Sequence, residues 1–298
     1  MTTVHPVARA APLLFVLLWS TGFIAAKYTL PYAEPLTLLF WRFVCTLVLL
    51  AGLFAVLRPV WPTWRVGLHT GVSGLLIHGC YLGGVFFAIE QGLSPAMTAV
   101  IVGLQPLLTT LAMPWVFGRA VPARHWLGVW LGLVGIVLIL RPWSGESGIT
   151  APSLAAVVVA LLGITVGAIY QNKFSAEVSL LSAAMIQYLA ACVWFGVGAW
   201  LFETGAITLN LPLVLGMMWL VVVLSVGAIL LLLYLIRRHE SHTVASLFYL
   251  VPPLVALQAW VVLGDAVDAM AALGIAVVAV AVYLTTRGAS AAPDAADQ

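Results

Sequence analysis

Residues 66–89 read VGLHTGVSGLLIHGCYLGGVFFAI, a run of 24 positions without Asp, Glu, Lys or Arg. A helix of roughly 20 apolar residues spans the hydrocarbon core of a bilayer. The stretch therefore reads as a transmembrane helix, with His78 and Tyr81 set near its middle. Three residues apart on a helix places both side chains on one face. At that depth a polar group has no water to satisfy it, so it must find a protein partner or line a hydrated cavity. A His–Tyr pair joining two helices and a pair facing a cavity both meet that demand.

The rest of the chain repeats the pattern. Of its 298 residues, 63% are hydrophobic and 7% charged, and the mean hydropathy is +1.14. A soluble domain typically carries about 25% charged residues, so this is an integral membrane protein. Further apolar runs lie near 12–30, 35–57, 95–117, 124–140, 152–172, 180–202, 212–236, 243–263 and 268–286, which predicts ten spans. The first is not a cleaved signal, because it ends in Lys27 without a small-residue cleavage site and a second span follows at once. Residues 287–298 read as a disordered cytoplasmic tail.

Charge sets the expected orientation. With ten spans, Arg9, Arg58, Arg65, Arg119, Arg124, Lys173, Arg237, Arg238 and Arg287 fall on one side. Only Lys27 and Arg141 fall on the other. Cytoplasmic loops carry the Lys/Arg excess, so both termini are expected in the cytoplasm. A net charge of +2 gives no footprint for nucleic acid.

A shift of 146 residues carries Lys27 onto Lys173, Pro106 onto Pro252 and Arg141 onto Arg287, with no gap. It also superposes Gly52 on Gly198 and the Gly-Xaa-Ala-Val of 118–121 on that of 264–267. The chain thus divides into a cytoplasmic N-terminus (1–11), a five-span repeat (12–140), a periplasmic linker (141–151) and a second repeat (152–286). Five is odd, so the second repeat enters the membrane upside down. The expected fold is all-α and polytopic, two inverted five-helix repeats around a central cavity. Inverted repeats are typical of alternating-access transporters.

Trp19-Ser20-Thr21-Gly22-Phe23 with Lys27, Trp41-Arg42-Phe43, Ala88 to Ser94, Gln105-Pro106 and Trp126-Leu127-Gly128 resemble the EamA family. This is the ten-span branch of the drug/metabolite transporter superfamily, and the likeness covers about 12–286. The resemblance implies a bacterial inner-membrane exporter of amino acids or related small metabolites. It also implies that spans 1–4 and 6–9 enclose the cavity while 5 and 10 lie outside. Arg119 departs from the acid often found there in the family, whereas its repeat counterpart Asp265 keeps one.

Candidate substrate contacts are the polar and aromatic groups at depth: Trp19, Ser20, His78, Tyr81, Gln105, Gln187, Ser246 and Tyr249. Such groups in an apolar setting make the usual chemistry of a small-ligand site. Pro106, Pro252 and Pro253 interrupt helices at matched depths and are candidate hinges. Arg42, about 10 Å inside span 2, is a candidate gate or carboxylate-binding group; snorkelling or a bond to loop carbonyls is its plainer role. Every Asp and Glu falls near a span end, in a loop or in the tail. A proton or cation relay needs a carboxylate at depth, so facilitated export is expected over proton coupling.

No phosphate-cradling GxxxxGK[ST] loop occurs, and His239-Glu240-Ser241-His242 follows two arginines that would repel a metal ion. Neither cofactor nor metal is expected, and the partners are a small-molecule substrate and the lipid bilayer. An antiporter of anionic sugar or nucleotide compounds would need more convergent Lys and Arg. An intramembrane enzyme would need a nucleophile–base pair, and a scaffold would show no solvent path. Cys45, Cys80 and Cys192 are read as packing residues, and Gly128, Gly132 and Gly135 as a close helix contact.

Overall fold

Proline marks where many of the helices begin. It stands in the first two positions of helices starting at Pro35, Pro95, Gln105, Ala151, Leu211 and Val251. The missing N–H is unpaired there in any case, and the fixed φ suits the helix. Ser94, Thr150, Ser179 and Asn210 cap the helices that follow them by accepting from the backbone N–H three residues on.

The computed structural model describes residues 6–118, 123–140, 149–228, 230–231, 250–265 and 268–286. The predicted tail and most of the predicted linker lie outside them. The helices are α1 (Pro6–Thr29), α2 (Pro35–Leu57), α3 (Trp64–Glu90), α4 (Pro95–Val102), α5 (Gln105–Phe117) and α6 (Ala123–Leu140). They continue with α7 (Ala151–Phe174), α8 (Leu180–Phe202), α9 (Leu211–Gly227), α10 (Val251–Leu263) and α11 (Ala269–Thr286). Among the described residues, α2, α3, α7, α8 and the stretch Leu13–Tyr32 are long and apolar enough to cross a membrane, and the other apolar helices are shorter. The predicted fourth span is broken: the helix stops at Val102, turns at Gly103–Leu104 and restarts at Gln105.

The outer surface is that of a protein in lipid. Leu189, Val193 and Val197 lie along one exposed face of α8, whereas Ser182, Gln187 and Tyr188 are buried. Several buried hydroxyls satisfy themselves on their own helix. Thr46 donates to Arg42 O (2.8 Å), Thr70 to Val66 O (2.8 Å) and Thr165 to Leu161 O (2.7 Å).

Helix bounds recur at the 146-residue shift: α5 maps onto α10 and α6 onto α11, end for end. Two of the shift-related pairs also pack antiparallel. At one end of the α2–α8 pair, Glu34 lies against Thr204 and Ala206; at the other, Ser182 Oγ donates to Val60 O at 2.9 Å. In the α6–α11 pair a Cβ on Gly135 would lie 2.6 Å from Val278 Cγ2, while one on Gly132 would approach Ala281. The glycine contact read from the sequence is thus made within one chain.

Both α3 and α9 contain a widened π-helical segment, Leu75–Cys80 and Trp219–Gly227. These segments too are related by the shift. A π turn adds a residue to the turn and is frequent at functional sites. Here one carries His78 and the other Leu224 and Ser225.

Candidate substrate cavity between the two π turns

A cavity of about 120 Å³ lies between α1, α2, α3, α8 and the end of α9. One water needs about 10–15 Å³ on this measure, so the space admits a small organic solute. Trp19 and Phe15 enter from α1, and their rings are 5.7 Å apart. From α3 come His78, Tyr81 and Phe86. Phe43 packs edge-on to Tyr188 at 5.0 Å and to His78 at 5.6 Å, with His78 4.9 Å from Tyr188. Three rings thus fix one another, and the Trp19 indole approaches the Tyr81 hydroxyl.

Arg42 supplies the permanent charge. It is 9% exposed and lines the cavity wall. Its Nε and Nη2 donate to Ser225 Oγ at 3.3 and 3.2 Å. Ser225 in turn donates to Leu220 O at 2.9 Å, five residues back across the π turn. The guanidinium also sits 5.8 Å from the Phe43 ring centre. None of the described residues lining the cavity is an Asp or Glu.

The 146-residue shift meets itself here. Arg42 with Tyr188, His78 with Leu224, and Leu82 with Ala228 are three shift-related pairs, and all six residues line the cavity.

Trp19, His78, Tyr81 and Arg42 converge on this space. Ser20 does not: it is fully buried between α1 and α10, where Gln258 Nε2 donates to its Oγ at 2.8 Å. Gln187 joins α8 to α3 and α7, donating to Ser73 Oγ at 3.0 Å and Gln171 Oε1 at 3.2 Å. It also approaches His78, so it stands just behind the wall. Gln105 is half-buried at the break before α5 and does not line the cavity, nor does Pro106. Pro252 packs at the same break, where a Cβ on Gly103 would come within 3.1 Å of its Cγ; Pro253 is half-buried beside it. Ser246 and Tyr249 lie outside the described residues.

Sequence reasoning passed over Tyr188, Ser225 and Gln258. Each carried a signal. Tyr188 is the shifted counterpart of Arg42, and Ser225 is the hydroxyl in the apolar run WLVVVLSVG. Gln258 is an amide in an otherwise apolar helix.

One end of the molecule is tied shut. The Glu34 carboxylate accepts from Thr204 N (3.0 Å) and Ala206 N (2.9 Å), and the Glu203 carboxylate accepts from Leu36 N (2.8 Å) and Thr37 N (2.7 Å). Ala33 and Ile207 form a short antiparallel bridge between the same loops. The Ala206 and Thr204 N–H groups hold the Glu34 carboxyl below its ordinary value of 4.5, against a smaller opposing effect of burial.

The family profile of EamA-like transporters matches residues 10–141. Over 90 residues the chain is 36% identical to a probable 4-amino-4-deoxy-L-arabinose-phosphoundecaprenol flippase subunit ArnE of Pseudomonas syringae, covering 72% of that protein and 30% of this one. The chain belongs to the EamA-like transporter family. Over nearly full length, this EamA protein is 24% identical to a probable amino-acid metabolite efflux pump of Salmonella typhimurium, with 93% of each chain covered. It is also 24% identical to the uncharacterized inner membrane transporter YedA of Escherichia coli K12, over 91% of this chain and 88% of that one. A solved crystal structure of a protein superposes on 94% of this EamA chain at a TM-score of 0.66 and 22% identity, and so shares its fold.

Proposed function

We propose that this EamA transporter is a facilitated exporter of small carboxylate-bearing metabolites in a bacterial inner membrane, working by alternating access. Amino acids and their deaminated counterparts both fit that description. The observation that carries the reading is Arg42, a buried guanidinium on a cavity wall with a serine hydroxyl as partner. A cation held in low dielectric without an anion is costly, and a substrate carboxylate supplies the missing charge. The efflux pump of Salmonella typhimurium, named for amino-acid metabolites, agrees with this class. Arg42 is the single Lys or Arg among the described lining residues, which disfavours nucleotide-sized polyanions.

Ten spans in two inverted repeats are part of the proposal. Its support is the antiparallel packing of α2 on α8 and α6 on α11, and the cavity lined by shift-related pairs. In such a design, the tied loops at Glu34 and Glu203 are the closed periplasmic gate of an inward-facing state. Coupling to a proton gradient is not expected, because the sequence places no carboxylate at mid-membrane depth.

Counterflow of labelled substrates into proteoliposomes, with and without a pH gradient, tests this. Uptake that is saturable and indifferent to the gradient supports facilitated export. Strict dependence on the gradient overturns the coupling, and no exchange above protein-free liposomes overturns transport.

A further inference from the structure

The lining of the cavity separates the two charges of an amino acid, because it can answer one and not the other. Guanidinium carries five N–H donors in a fork that matches a carboxylate. The Ser225 hydroxyl engages Nε and Nη2, which leaves donors for a ligand. Nothing comparable awaits an ammonium. No Asp or Glu is among the described residues lining the cavity, and the sequence places all ten carboxylates near span ends, in loops or in the tail. Glu34 and Glu203 are engaged at the tied end. An ammonium entering beside Arg42 would meet like charge, and although the rings attract a cation weakly, it would lose its water without gaining an anion.

The body of the site is apolar. Phe15, Trp19, Phe43 and Phe86 present rings, with aliphatic groups such as Ile77 and Val85 between them. A dicarboxylate would need a second cation, and among the described lining residues Arg42 is the only Lys or Arg.

We infer that the cavity selects an apolar monocarboxylate without a free ammonium, an aryl- or branched-chain acid, over the matching amino acid. Arg42 and Ser225 hold the carboxylate, and the rings hold the hydrocarbon. This rests on the transporter reading above and narrows its substrate.

The test uses one carbon skeleton with its charges varied. Labelled 3-phenylpropanoate is bound to the purified full-length protein, and unlabelled phenylalanine, 2-phenylethylamine and succinate compete with it. We expect phenylalanine to compete roughly tenfold more weakly than 3-phenylpropanoate itself, a difference of about 1.4 kcal/mol. The amine and the dicarboxylate should not compete at all. Arg42→Gln should lose binding, and Ser225→Ala should weaken it by a smaller factor. Should Arg42→Gln fail to fold, the competition order on the native protein decides the matter. Phenylalanine competing as well as the acid, competition by the amine, or no binding of the labelled acid overturns the inference. Counterflow on the same preparation is read separately. Exchange with the wrong competition order leaves the transporter standing, and the right order without exchange removes the transporter and keeps the site.

Discussion

Arg42 and Tyr188 occupy positions 146 residues apart, at matching places in α2 and α8, and face the same cavity. One is a cation and the other a phenol, so positions related by the shift share a place in their helices and differ in chemistry where they meet. Tyr188 stands edge-on to Phe43 and His78, and its hydroxyl approaches Ser225, the partner of Arg42. Tyr188→Phe should keep the packing and raise the apparent KM several-fold without changing thermal stability. Tyr188→Ala should lower stability by about 3 kcal/mol, as truncation of a buried aromatic does. Counterflow kinetics and thermal unfolding in detergent separate the two effects.

Glu203 holds the first turn of α2 through two backbone N–H groups and the Thr37 hydroxyl. Hydrogen bonds to a charged group contribute about 1.5–3 kcal/mol each before solvent exposure reduces them. Glu203→Ala should loosen the tied end. A cysteine placed at Phe86 on the cavity wall should then react faster with a thiol reagent added from the periplasmic side. An unchanged labelling rate would remove Glu203 from the gate.

The Glu34 contacts give that gate a pH dependence with a definite sign. The folded-state pKa lies below 4.5, so the ionised form is the one the loop favours. Its contribution is fully present above the unfolded value and is lost as the pH falls through the folded one. Labelling of the same Phe86→Cys site, corrected for the thiolate fraction at each pH, should be flat from neutrality to about pH 5 and rise below 4.5. Glu34→Gln should abolish that rise.

Orientation is open to a direct check. In a background with Cys45, Cys80 and Cys192 replaced, Thr208→Cys should react with an impermeant maleimide added to whole cells. Val60→Cys, which is 83% exposed at the opposite end, should react only after permeabilisation. The reverse pattern would invert the assignment of the termini.

Gly163 sets how closely α7 approaches the π turn of α3. A Cβ there would lie 2.7 Å from Cys80 Cβ and 2.9 Å from Leu76 O. Gly163→Val must therefore push α3 away, at about 1–3 kcal/mol of stability. His78 sits on that turn, so counterflow should fall more than stability does.

Much of this was legible in the chain. The predicted limits of the second and seventh spans, 35–57 and 180–202, coincide with α2 and α8. They do so because Pro35 and Ser179 start these helices and the apolar runs continue unbroken behind them. Residues whose polarity conflicts with lipid were also visible, and His78, Tyr81 and Arg42 meet at the cavity for that reason. Ser20 and Gln187 carry the same polarity and do not line it. One-dimensional spacing gives the depth of a side chain but not its azimuth around the helix, and azimuth decides between cavity and helix contact. The broken fourth span was likewise hidden, since the restart at Gln105 depends on how Gly103 packs against Pro252.

By itself, the sequence determined that the protein lives in a bilayer, where helices such as α2 and α8 begin and end, and which residues recur at a 146-residue shift. These follow from solvent and local geometry, which act on each segment alone. Only the tertiary structure decided that Arg42 meets Ser225, and that residues of both π turns line one cavity. Those relations exist between segments far apart in the chain, 183 residues for Arg42 and Ser225, and close packing settles them.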